Sequence, residues 1–252
     1  MSVRHPLAKV PEITTYFWVI KILTTGMGET TSDFLAHTLN PIIAVLIGGA
    51  GLVIALVLQS SVRRYVAWVY WLAVVMVSIF GTMAADVLHV GFGIPYIVSS
   101  IFYALVLAGI FVLWYWREKT LSIHSIYTRH REAFYWATVL ATFALGTAVG
   151  DMTAVTLHLG YLATGVLFAV AFIIPIVAYY KFGVNEILTF WFAYIVTRPL
   201  GASFADWMGV STTRGGLGWG TGLVSIVLAI LIVAFVAFLA VSRRDIERRR
   251  SS

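Results

Sequence analysis

Eight apolar runs alternate with short polar breaks along this chain, each about 20 residues long, enough for a helix to cross a bilayer. They cover roughly 12–34, 41–60, 66–88, 94–116, 132–156, 161–181, 187–208 and 218–241. A second pattern lies inside the odd-numbered runs: a tryptophan, a glycine ten residues later and an aspartate five after that. It reads Trp18–Gly28–Asp33, Trp71–Gly81–Asp86, Trp136–Gly146–Asp151 and Trp191–Gly201–Asp206, and four of the five aspartates hold this position. The expected fold is therefore all-α: a polytopic membrane protein of eight transmembrane helices built as four two-helix repeats, about 9–65, 66–120, 131–183 and 186–245. Each repeat crosses twice, so all four share one orientation and the repetition is parallel rather than inverted.

Composition supports this and narrows the chemistry. Of 252 residues, 60% are hydrophobic and 11% charged, against roughly 25% charged in a soluble domain. A single membrane domain is expected. Met1–Pro11 is short and polar, with no cleavable signal pattern. There is no cysteine, which excludes disulfides and thiolate chemistry. No P-loop, HExxH or GxSxG motif is present, so neither a nucleotide-driven pump nor an enzyme is indicated. The net charge of +6 lies mostly in loops: fourteen Lys and Arg fall at the termini or between repeats, and the loops within repeats hold only Arg214. By the positive-inside rule this places both termini in the cytoplasm and gives no reason to expect a nucleic-acid partner. The segment 117–131, with His124 and His130, is expected to be a basic cytoplasmic linker between two four-helix halves, and 243–252 a basic tail against anionic headgroups.

A carboxylate inside an apolar helix is expensive and usually functional. Fifteen residues beyond its tryptophan, each aspartate lies about 22 Å along its helix, toward the outer face. Asp33, Asp86, Asp151 and Asp206 would gather around a common axis as a cation site or acidic vestibule; the alternative is that they tie helix ends through local hydrogen bonds. The glycines Gly28, Gly81, Gly146 and Gly201 would let helices approach closely. The tryptophans Trp18, Trp71, Trp136 and Trp191 read as packing residues between repeats.

The first repeat carries the most chemistry. Lys21, Thr25, Gly28, Glu29, Ser32 and Asp33 fall within about 140° of one another on an ideal helix, a polar stripe that must face protein or water. Glu29 and Asp33 form an i,i+4 carboxylate pair suited to a hard divalent cation or a shared proton; a purely structural polar network is the alternative. In the fourth repeat, Arg198 stands where the first has Thr25, followed by Pro199. At that depth it needs an acidic partner, and Glu29 is the nearest in register. Lys21 is the second membrane-depth cation, able to snorkel to the cytoplasmic face. Five acids against these two bases favour bound cations or protons over an anion. His37, His89 and His158 follow three of the aspartates at same-face offsets, which would suit transition-metal ligation; solvated interfacial positions are the alternative.

The run from Lys9-Val-Pro-Glu-Ile-Thr through Lys21-Ile-Leu-Thr-Thr-Gly-Met-Gly-Glu-Thr-Thr-Ser-Asp33, with its later echoes, resembles a bacterial family of small inner-membrane proteins with four tandem two-helix repeats and no assigned function. The resemblance implies the architecture and a multi-pass inner-membrane location; it carries no activity. From the residues, the leading expectation is a transporter of a divalent transition-metal cation such as manganese, with or without coupling to protons, and with the metal as substrate rather than cofactor. A passive cation channel with an aspartate ring, and a membrane enzyme or small-molecule binder using the polar stripe, are the alternatives. The lipid bilayer and a small inorganic cation or proton are the expected partners; a homo-oligomer is compatible with the sequence.

Overall fold

The computed structural model describes residues 8–246. Arg4 and the tail arginines Arg248, Arg249 and Arg250 lie outside the described residues. Eight long helices account for most of the chain, and no strand occurs among the described residues: α1 Thr15–Thr38, α2 Pro41–Ser61, α3 Ala67–Asp86, α4 Tyr96–Glu118, α5 Arg129–Asp151, α6 Tyr161–Phe182, α7 Glu186–Gly209 and α8 Thr221–Ser242. Seven of them, all but α1, are long and apolar enough to cross a membrane. Helix α1 is as long as α7 but carries Lys21, Glu29, Asp33 and a threonine run. Polar side chains start four helices. Thr14, Asn40, Thr128 and Asn185 each accept a hydrogen bond from a backbone N–H of the first turn, satisfying a donor that the helix leaves orphaned.

The odd-numbered helices form a closed inner ring in which α1 packs on α3, α3 on α5, α5 on α7 and α7 on α1. Each even-numbered helix lies outside, mainly against the odd helix of the following repeat: α2 on α3, α4 on α5, α6 on α7, and α8 back on α1. The even helices expose apolar side chains such as Leu46, Leu105, Val170 and Ile230. No repeat is completed by its own residues, and the last helix closes the circle.

Two contacts repeat around the ring. At the tryptophan level, each tryptophan packs on the aromatic residue preceding the tryptophan of the repeat before it. Trp71 meets Phe17 at 5.6 Å between ring centroids, Trp136 meets Tyr70 at 5.6 Å, Trp191 meets Tyr135 at 6.2 Å and Trp18 meets Phe190 at 5.8 Å. One level on, the residue seven after each tryptophan sits against the glycine of the preceding repeat. A Cβ on Gly28 would fall 1.8 Å from Ser78 Oγ; on Gly81, 2.6 Å from Phe143 Cβ; on Gly146, 2.3 Å from Arg198 Cγ; on Gly201, 1.8 Å from Thr25 Oγ1. The four glycines are needed for this close approach, as expected of small residues between membrane helices.

The segment 119–128 differs from the expected linker. It buries Ile123 and Ile126 and accepts hydrogen bonds at Leu121 O from the Trp191 indole and at Ile126 O from the Lys9 backbone. It does not divide two halves, because α5 packs on both α3 and α7. Glu132 lies within the first turn of α5 and is buried. Lys9 Nζ donates to it at 2.6 Å and Gln59 Nε2 at 3.2 Å. Tyr65 donates to Asp245 at 2.5 Å, and the Glu12 backbone N–H donates to the Asp245 carbonyl. Both described ends of the chain are thus tied to the tryptophan end of the bundle.

Gly28→Ala should lower the melting temperature in detergent, by a cost of about 1–3 kcal/mol typical of overpacking. Adding Ser78→Gly should recover part of it. Gly109→Ala on α4 should cause no loss, since a Cβ there meets nothing within 4 Å. Equal melting temperatures for Gly28→Ala and Gly109→Ala would show that the interlock is not what holds the ring.

Candidate functional site

Along each inner helix, every fourth residue from the one before the tryptophan faces the axis, and together these make five levels. Phe17, Tyr70, Tyr135 and Phe190 form the first; Lys21, Val74, Val139 and Tyr194 the second; Thr25, Ser78, Phe143 and Arg198 the third; Glu29, Thr82, Thr147 and Ala202 the fourth. All sixteen are buried, so the axis is filled from the tryptophan end to the fourth level. The fifth level is the four aspartates, of which Asp206 is buried and Asp33, Asp86 and Asp151 are partly exposed. A step of four residues advances a helix by about 6 Å and turns it by about 40°, so each level lies about one turn beyond the last, and the buried positions of α1 include its polar stripe from Lys21 to Ser32.

Arg198 joins the third level to the fourth. It is fully buried, and its guanidinium reaches one residue from each of the other three repeats at the fourth level: Glu29 Oε2 at 2.5 Å, Thr147 Oγ1 at 2.7 Å, and Thr82 Oγ1. It also donates to Thr25 O at 3.0 Å. The fourth-level residue of its own repeat is Ala202. The pair expected from the depths of Arg198 and Glu29 therefore forms. Thr82 and Thr147 are partners that sequence reasoning did not single out, although they share the register of Glu29. Thr25 is a helix tie: its hydroxyl lies 2.6 Å from Ile22 O and 3.1 Å from Thr197 O. Ser32 is buried, and its hydroxyl has no hydrogen-bond partner among the described residues.

Lys21 does not snorkel. It is buried at the second level with Nζ 4.1 Å from the Phe143 ring centroid and 4.2 Å from that of Tyr194. Among the described residues Nζ has no hydrogen-bond acceptor; cation–π contacts replace one.

The carboxylates converge just beyond Arg198. Glu29, Asp151 and Asp206 each place an oxygen within 4.8 Å of the other two, the one group of three or more His, Asp or Glu among the described residues spaced to hold a metal ion. Repeats one, three and four supply it. The expected main pair is thus revised: Glu29 is grouped with Asp151 and Asp206, and Asp33 and Asp86 lie outside the trio. The Asp151 and Asp206 carboxylates form no ion pair or hydrogen bond among the described residues. The trio therefore brings three acids against one guanidinium.

The histidines are not part of this cluster. His37 is exposed, its Nδ1 2.7 Å from the Asp33 carbonyl. His89 bonds Ile94 O at 2.7 Å and stacks on Tyr96. His158 lies past the helix with φ +56°. Whereas α1 continues regularly past Asp33 to Thr38, the helical register that would have aligned His89 and His158 is lost because single π-helical turns, Val87–Gly91 and Met152–Thr156, follow Asp86 and Asp151. Such turns often mark functional sites.

Fold and site together define a ring of four two-helix repeats around a buried arginine and a carboxylate cluster. The chain belongs to the family described as Repeat of Unknown Function (DUF347), whose model matches it four times, at 16–65, 69–120, 134–185 and 189–245. No curated protein and no solved structure matches it.

Arg198→Ala should destabilise the protein by about 3–5 kcal/mol, because Glu29 is left buried without its counter-charge. Glu29→Gln in the same chain should restore most of the melting temperature. A double variant no more stable than Arg198→Ala would remove the pair as a stabilising element.

Proposed function

We propose that the protein is an inner-membrane transporter of a divalent cation, with manganese the best fit among the transition metals, and that Glu29, Asp151 and Asp206 form its cation site. On this reading all eight helices cross the membrane, α1 included. The four repeats run parallel, and both termini face the cytoplasm. The meeting of matching positions at every axial level supports the parallel arrangement. The basic residues beside the tryptophan end support the orientation.

The observation that carries the proposal is the trio itself: three carboxylates from three repeats, one guanidinium, and two acids without a bonded partner. An all-oxygen donor set favours Mg²⁺, Ca²⁺ or Mn²⁺ over Zn²⁺, Ni²⁺ or Cu²⁺, so of the transition metals the geometry fits Mn²⁺. Asp33 and Asp86 extend the acidic surface around the trio and would draw cations to it. A passive channel fits less well. Phe143, Lys21, Tyr194 and Arg198 fill the axis beneath the site, so passage requires a rearrangement, with Arg198 and Lys21 as the gating charges. Proton coupling would use the same carboxylates, which can share protons when no metal binds.

The test is thermal shift followed by flux. At a concentration about 100 times its dissociation constant, a cation that binds only the folded state adds about 2.7 kcal/mol of stability. Mn²⁺ should raise the melting temperature of the wild type and leave Asp206→Asn and Asp151→Asn unshifted, although both fold. Liposomes holding the wild type should pass Mn²⁺, and those holding Asp206→Asn should not. Mn²⁺ stabilisation that survives in both variants, or no stabilisation by any divalent cation, would rule out the site.

A further inference from the structure

Away from the axis, near the tryptophan end, a cleft of about 480 Å³ opens between α2 and α5. Leu52 and Leu56 of α2, Val77 of α3 and Leu140 of α5 line it, with Trp136 inside and Arg129 at its edge. Trp136 is only 7% exposed, and its indole N–H has no hydrogen-bond acceptor among the described residues. A buried indole N–H normally finds one. Arg129 is exposed, and the exposed Arg63 and Arg64 follow the end of α2. The one acid in the wall, Glu132, is already held by Lys9 at 2.6 Å. The cleft thus has an apolar floor, a buried tryptophan in its wall and positive charge near its mouth.

We propose that this cleft binds one anionic phospholipid of the cytoplasmic leaflet. An acyl chain lies along Leu52, Leu56, Val77 and Leu140 beside the Trp136 ring, and Arg129 binds the phosphate. Arg129 is two helical turns before Trp136, about 10 Å along the axis, and an arginine side chain and a glycerophosphate bridge that distance. A guanidinium recognises phosphate through paired N–H donors, and basic residues near the headgroups add attraction to anionic lipid.

A second cleft, of about 270 Å³, lies two repeats away against Trp18, and supplies a contrast within the molecule. Linker residues Leu121–His124 line it, no arginine among the described residues does, and its acid, Glu186, lies 3.4 Å from His124 with about half of its side chain exposed. The proposal therefore concerns the α2–α5 cleft alone. It rests on the membrane embedding proposed above and is independent of the cation site.

Native mass spectrometry of the detergent-purified chain, mixed with dioleoyl phosphatidylglycerol or dioleoyl phosphatidylcholine, tests it. One phosphatidylglycerol should be retained per chain, with about tenfold preference over phosphatidylcholine. Arg129→Gln should abolish the preference, and Ala137→Phe, which fills the cleft, should reduce retention of either lipid. Both variants should keep the lipid-free melting temperature and the Mn²⁺ response of the wild type. Equal retention of the two lipids, retention unchanged in both variants, or displacement by excess inorganic phosphate would overturn the proposal. A chain that stays in solution without detergent would instead remove the embedding on which it depends.

Discussion

The missing side chain at Gly28, Gly81, Gly146 and Gly201 is the constraint on which the inner bundle depends. In the membrane-embedded arrangement proposed above, helices have no hydrophobic driving force between them, so association would rest on van der Waals packing and hydrogen bonds across close surfaces. Here the glycine of one repeat receives the side chain seven residues after the tryptophan of the next, and the contact recurs four times until the ring closes. That contact sets the width of the bundle at the third level. It also sets where Arg198 begins. A bundle wider by a methyl group at each contact would carry Arg198 away from Thr82, Thr147 and Glu29, which it now reaches together.

A ring of four equal repeats cannot by itself hold one buried charge. Four arginines at the third level would repel one another, and four threonines would leave the carboxylates beyond them without a counter-charge. The chain keeps the glycine and tryptophan positions the same and varies the axial residues. One repeat supplies the guanidinium, one the carboxylate, two supply threonine hydroxyls, and Ala202 leaves room in the repeat that carries the arginine. Repetition builds the scaffold; divergence at positions spaced by four builds the charged centre inside it.

Much of this was legible in the sequence because the repeat spacing is invariant. Identical offsets from Trp18, Trp71, Trp136 and Trp191 imply equivalent depths, and equal depth led to the pairing of Arg198 with Glu29. Helix number and approximate ends followed from apolar runs alone. What was not legible depends on which helices become neighbours. The i,i+4 spacing of Glu29 and Asp33 describes one helix; it says nothing of Asp151 and Asp206, which come from α5 and α7. The transfer of each even helix to the following repeat leaves no mark in loop lengths that would also permit packing within the repeat. The histidine offsets failed for a local reason: a π-helical turn adds a residue to the repeat, and the face expected at His89 and His158 rotates away. The polarity of Lys21 suggested a snorkelling side chain, but two aromatic rings from other repeats hold it.

The same closure bears on how such a site could change its access. Each repeat is completed by its neighbour, so no repeat can swing out alone without breaking an interlock on either side. Deformation is easier within a helix than between helices, and α7 is the helix built for it. Pro199 lacks an N–H, so the carbonyl of Ile195 loses its intrahelical donor, and a helix bends most readily at such a point. Pro199 directly follows Arg198 and packs against Gly146 and Gly150 of α5, where small residues leave room. The most deformable point of the inner ring therefore coincides with the counter-charge of the carboxylate trio. A bend there would withdraw the guanidinium from Glu29 and loosen the plug of Phe143 and Lys21 beneath it in one movement. On the transporter reading proposed above, loading of a cation at the trio and opening of the axis would then be coupled through a single side chain.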